Sequence, residues 1–210
     1  RICSRDNGAD RLADGLSALR QTLSFARQHR CPWVFGGDLK IPRHSWPLEA
    51  LTGILAAFGE APDVEKVLIK GNHDGEGQWG SGLRPFASLP NTRVVETPTV
   101  IEIAGISCAI WPAVSGSQYD PQQWLQGIDS DIRVLLGHAF LTGALLGPDE
   151  IRLPEHGVSL ERFLFRGELR RPWHVGLFGD IHKGQMLTRR KGEPSGVQEG
   201  SPPPPGSARA

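Results

Sequence analysis

The chain has 210 residues, enough for one domain with its own core, and 23 basic residues balance 23 acidic ones. With no formal net charge, no global field attracts nucleic acid or a membrane surface, so such binding would need a local patch. The longest apolar runs fall far short of a bilayer span, so no membrane segment is expected.

The first residues, RICSRDNGADRL, lack the apolar core of a secretory leader. Cys3, Cys31 and Cys108 make no CxxC pair, which argues against a thiolate zinc site or a disulfide framework and fits a reducing cytoplasm. Cys31 and Cys108 are expected as small core residues. Residues 9–29 place Leu12, Leu16, Leu19, Leu23 and Ala26 at steps of four and three, the apolar stripe of a helix. PWVFGGD then reads as a short buried strand running into a loop. SWPLEALTGILAAFGE returns to helical spacing, with Pro47 near its first turn, where proline is tolerated.

EKVLIKGNHD is a second short strand closed by polar residues. RVVE, TVIEI and ISCAIW follow as strands, the last two joined by a turn at Ala104-Gly105. DIRVLLGHAF predicts a further strand, SLERFLFRG a short helix, and WHVGLFGDIHKGQML a last strand ending in Gly-Asp-Ile-His. Residues 1–188 are thus expected as the folded domain, an α/β or α+β sandwich with a mixed sheet. Residues 189–210, with the run PPPP and almost no large apolar side chains, are expected as a disordered Pro/Gly-rich tail. Trp33, Trp79, Trp111, Trp124 and Trp173 are expected to pack in the core or at its rim rather than to stack on bases.

Four apolar strands share one kind of ending. A glycine stands beside side chains able to bind metal or move protons: Gly37-Asp38, Gly71-Asn72-His73-Asp74, Gly137-His138 and Gly179-Asp180-Ile181-His182. Strand carboxyl ends in an open α/β sheet face a common crevice, so the four endings can meet in space. Glycine lets the backbone turn sharply there and leaves room close to the main chain.

In this order the endings resemble the motifs of the calcineurin-like metallophosphoesterases, and LFGDIHKGQ is similar to the closing motif of SbcD-type DNA repair exonucleases and their phage relatives. The resemblance spans roughly residues 10–187. It implies an α/β/β/α sandwich and two divalent ions about 3.5–4 Å apart that share a carboxylate. Asp38 matches the bridging carboxylate, Asn72 and His138 match ligands of the second ion, and His182 matches a ligand of the first. Asp180 stands where the family usually has histidine and is kept as a metal ligand. His73 matches the catalytic acid, which protonates the leaving alkoxide while a metal-activated hydroxide attacks phosphorus, and Asp74 is expected to orient the His73 imidazole. Oxygen and nitrogen donors without thiolate suit Mn²⁺, the expected ion, with Fe²⁺ or Zn²⁺ as alternatives.

The implied activity is phosphodiester hydrolysis on DNA or another phosphodiester, with a homodimer or an ATPase partner implied by the resemblance alone. Two departures keep other readings open. No D-x-H motif precedes Asp38, so the chain is expected to lack the family's first strand and two ligands of the first ion, which Asp6, Asp10 or Asp14 would have to replace. GGDLKIPR also differs from the nuclease pattern at Lys40 and Ile41. The alternatives are an incomplete or inactive fragment holding at most one metal, and a phosphomonoesterase acting on proteins or nucleotides.

Overall fold

The period-four-and-three stripe and the short β-branched runs become two α-helices and eleven strands among the described residues, with one short 3-10 helix at Arg84–Phe86. A computed structural model describes residues 8–39, 46–75, 81–113, 132–141, 144–146, 151–152, 174–180, 184–188 and 195–198. Helix α1 spans Gly8–His29 and α2 spans Leu48–Gly59, with Pro47 as the extended residue that opens α2. The strands are β1 (Trp33–Phe35), β2 (Lys66–Ile69), β3 (Thr92–Val95), β4 (Thr99–Ile103), β5 (Ile106–Trp111), β6 (Val134–His138), β7 (Leu145–Leu146), β8 (Ile151–Arg152), β9 (Val175–Gly179), β10 (Gln185–Thr188) and β11 (Ser195–Gln198).

β1, β2 and β3 form a three-stranded parallel sheet with β2 in the centre. The run Lys66–Ile69 is buried at every position, as a strand covered on both faces must be. Leu68 joins the core made with α1 and α2, where Leu16, Leu19, Leu23 and Ala26 of the predicted stripe pack near Ile54, Ala57 and Phe58. Val67 and Ile69 point the other way, onto Ile103, Cys108, Ile110 and Leu136 of the second sheet. That sheet has six strands in the order β10-β11-β9-β6-β5-β4. Its β5, β6, β9 and β11 are parallel, while β4 and β10 at the two edges are antiparallel to their neighbours. A helical layer therefore covers one face of the small sheet and the mixed sheet covers the other. The chain is α/β with mixed sheets and few helices. No helix among the described residues is long and apolar enough to cross a membrane.

Some expectations change here. Cys108 is buried as expected, but Cys31 is exposed, because it sits in the turn after α1 rather than on the helix stripe. The predicted tail contains a strand: β11 pairs with β9 on one side and β10 on the other, so main-chain hydrogen bonding orders four residues that have little apolar surface. The short helix expected in SLERFLFRG lies outside the described residues.

Candidate metal centre

The parallel register brings the strand ends together. β1 and β2 run side by side, so the loops carrying Asp38 and Asn72-His73-Asp74 leave the same end of the small sheet. In the large sheet His138 pairs with Gly179, which sets Asp180 beside it. The two sheets are tied at this end by the ring of His138, whose Nδ1 lies 2.7 Å from the carbonyl oxygen of Gly36.

The approach is close enough to demand glycine. A Cβ on Gly37 would run into the His138 ring, one on Gly71 into the carboxylate and backbone nitrogen of Asp38, and one on Gly179 into the Gly36 carbonyl. Both candidate carboxylate ligands also stand on unusual backbone: Asp38 has φ 61° and Asp180 φ 113°. Aspartate tolerates the first value, whereas the second belongs to conformations that L residues rarely adopt. Strain of this kind persists only where the surroundings enforce it, and it concentrates at functional sites.

Asp38 is held from several sides. Its Oδ1 accepts the His73 N–H at 2.8 Å, and its own N–H donates to Asp74 Oδ2 at 2.8 Å. Burial alone would raise its pKa, but His138 and the His73 amide outweigh burial and hold the carboxyl below its ordinary 3.8. Asp74, fully buried, also accepts the Gly71 N–H on Oδ2 at 2.8 Å.

His138 carries the clearest chemical signature. A carbonyl oxygen only accepts, so the contact with Gly36 requires the proton on Nδ1 and leaves Nε2 free to offer its lone pair in the neutral ring. Nε2 lies 3.4 Å from Asp38 Oδ2 and 3.7 Å from Asp180 Oδ1. A backbone carbonyl on the far nitrogen is the usual support of a metal-ligating histidine. Burial pushes the His138 pKa down, yet Asp38, the Gly36 carbonyl and Asp180 together raise it above 6.5.

The nearer amide atom of Asn72 stands 2.9 Å from His138 Nε2 and 3.2 and 3.1 Å from the two Asp38 oxygens. Without a cation, satisfied hydrogen bonding makes that atom the amide nitrogen, donating to Asp38. With the oxygen in its place acceptor faces acceptor, an arrangement that a cation reconciles.

These residues fit a divalent ion. One ligand atom each from Asp38, His138 and Asp180 lie within 4.8 Å of one another. Ligands about 2.1 Å from one ion stand roughly 3–3.5 Å apart, close to the separations found around Nε2. The donors are carboxylate, imidazole and amide oxygen, with no thiolate. His73 sits at the rim, its side chain 37% exposed and its Nε2 4.0 Å from Asp38 Oδ2. His182 lies outside the described residues.

Asp38, Asn72, His73, Asp74, His138 and Asp180 are thus brought together as the strand-end pattern predicts. Sequence reasoning missed the Gly36 carbonyl and the backbone partners of Asp74. The run of two glycines before Asp38 was the available signal for the first, and nothing in the sequence marks the second. Compared with known proteins, the chain matches no family model, and no curated protein matches it at a significant level.

Proposed function

We propose that the chain is a metal-dependent phosphoesterase acting on phosphodiesters, with DNA or a related diester as substrate and the α/β/β/α sandwich as its fold. One observation carries this reading. The Nε2 of a buried histidine, fixed by its Nδ1 bond to Gly36, faces two carboxylates from different strand ends while a second histidine stands exposed beside them. The helical layer and two packed sheets support the sandwich reading.

Asp38, His138, Asp180 and Asn72 would hold the ion. A bound divalent cation supplies Lewis-acid polarisation of a phosphoryl oxygen and acidifies a water. His73 stands at the open side of this group, where its imidazole can give a proton to a leaving alkoxide. The low pKa of Asp38 keeps it anionic, so the ligand cluster retains its negative charge at neutral pH. Partial burial strengthens each of these electrostatic contacts relative to water.

A second reading has its own support. The described ligands form a single cluster, which suits a chain with one ion and no turnover. Hydrolysis of bis(4-nitrophenyl) phosphate and 4-nitrophenyl phosphate in Mn²⁺ separates the readings. The diesterase reading expects the diester to be cleaved faster, with a loss of about 10²–10⁴-fold in His73→Ala and the metal retained. Faster cleavage of the monoester would make the chain a monoesterase. Metal uptake without cleavage of either ester would contradict the enzyme reading.

A further inference from the structure

Asp74, which follows His73 in the sequence, is bonded to the main chain of two loops. Its carboxylate is fully buried, and a single oxygen, Oδ2, accepts two backbone amides, those of Asp38 and Gly71, each at 2.8 Å. The two amides belong to different loops. One opens the Asp38 loop after β1, and the other opens the Asn72 loop after β2. The return contact, His73 N–H to Asp38 Oδ1, joins the same loops a second time.

We propose that Asp74 is a positioning residue for the cation site, a clasp that locks the loop of Asp38 against the loop of Asn72. The proposal rests on the metal reading above. Two features require such a clasp. Asp38 sits at φ 61°, in the left-handed region that aspartate tolerates but adopts only in a minority of cases, and the bond from its N–H to Asp74 holds it there. Gly71 packs against the Asp38 backbone with no space for a Cβ, so the loops must be drawn together rather than merely adjacent. An ionised carboxylate is suited to this task because charge-assisted bonds to amides are shorter and stronger than neutral ones. Asp74 thus acts through the main chain of two ligand loops and sets the spacing of Asp38 and Asn72 before any ion arrives.

Amide hydrogen exchange in the metal-free protein, followed by Mn²⁺ titration, tests this. Asp74→Asn keeps the shape and removes the charge. Asp74→Ser, smaller and still an acceptor, replaces it if the first variant does not fold. The expected result is exchange at Asp38 and Gly71 at least about tenfold faster than in the wild type, and Mn²⁺ affinity lower by about 10–100-fold. His73→Ala should bind Mn²⁺ like the wild type. Unchanged exchange at both amides would overturn the proposal. So would wild-type Mn²⁺ affinity in Asp74→Asn together with a loss of turnover matching His73→Ala, which would place Asp74 on the imidazole. A wild-type chain that takes up no Mn²⁺ sinks the metal reading and the cation half of this proposal, and the exchange result then still decides the clasp.

Discussion

Replacing Gly71 with alanine puts a methyl group where the structure has Asp38. The added Cβ would overlap both the carboxylate and the backbone nitrogen of that residue, so no side-chain rotation relieves it and the Asp38 loop must retreat. Overpacking of this kind costs about 1–3 kcal/mol. Retreat also stretches two bonds to charged carboxylates, Asp38 N–H to Asp74 and His73 N–H to Asp38, each worth about 1.5–3 kcal/mol. Partial relaxation and water reduce that sum, and a net loss of about 3–4 kcal/mol is expected. For a chain of this size the melting temperature should fall by roughly 10 °C. Gly75→Ala in the same loop is the control, because its nearest neighbour is Lys70 Cε at 3.9 Å, an ordinary contact. Its stability should change by no more than about 0.5 kcal/mol. Urea unfolding and Mn²⁺ calorimetry of the two variants read out both effects. Equal stability and equal Mn²⁺ affinity in Gly71→Ala and Gly75→Ala would refute the close approach of the loops.

Other perturbations have equally definite outcomes. The raised His138 pKa gives two opposite pH trends: the metal-free fold gains stability from this group fully below pH 6.5 and loses it as pH rises through the folded value, whereas Mn²⁺ must displace a proton from the ring and binds more tightly over that same rise. Calorimetry and melting curves across neutrality check both, and parallel trends would contradict the assignment of Nε2 as a ligand. Phe178 is buried against Gly137 of the neighbouring strand β6 and Gly176 of its own strand, so Phe178→Ala should cost about 3–5 kcal/mol in urea unfolding. Lys66 is buried with its ammonium on the carbonyls of Val64 and Pro90, and burial lowers its pKa from 10.5. Lys66→Met should therefore lose much less stability than Lys66→Ala, which adds a cavity to the orphaned carbonyls, a difference of about 2 kcal/mol in the same assay.

Periodicity made much of the fold legible. The stripe from Leu16 to Ala26 and the apolar runs of β1, β2, β5, β6 and β9 have strong local signals, and each forms where expected. β7 and β8 are two residues long, and β10 and β11 gain their order from pairing, so no local pattern announces them. The same division holds at the site. Side-chain chemistry at strand ends named Asp38, Asn72, His73, His138 and Asp180. The tie from His138 to the Gly36 carbonyl and the clasp of Asp74 are bonds to main chain far away in sequence, and backbone partners have no residue code to read. Asp180 at φ 113° is a departure from local preference that only tertiary packing imposes.

Metal content is the measurement to make on the purified chain, by plasma mass spectrometry after Mn²⁺ loading and desalting. The wild-type protein should retain at least one ion per chain, His138→Ala and Asp38→Asn should lose it, and His73→Ala should keep it. No retained ion in the wild type, or equal retention in His138→Ala, would contradict a cation site built from these strand ends.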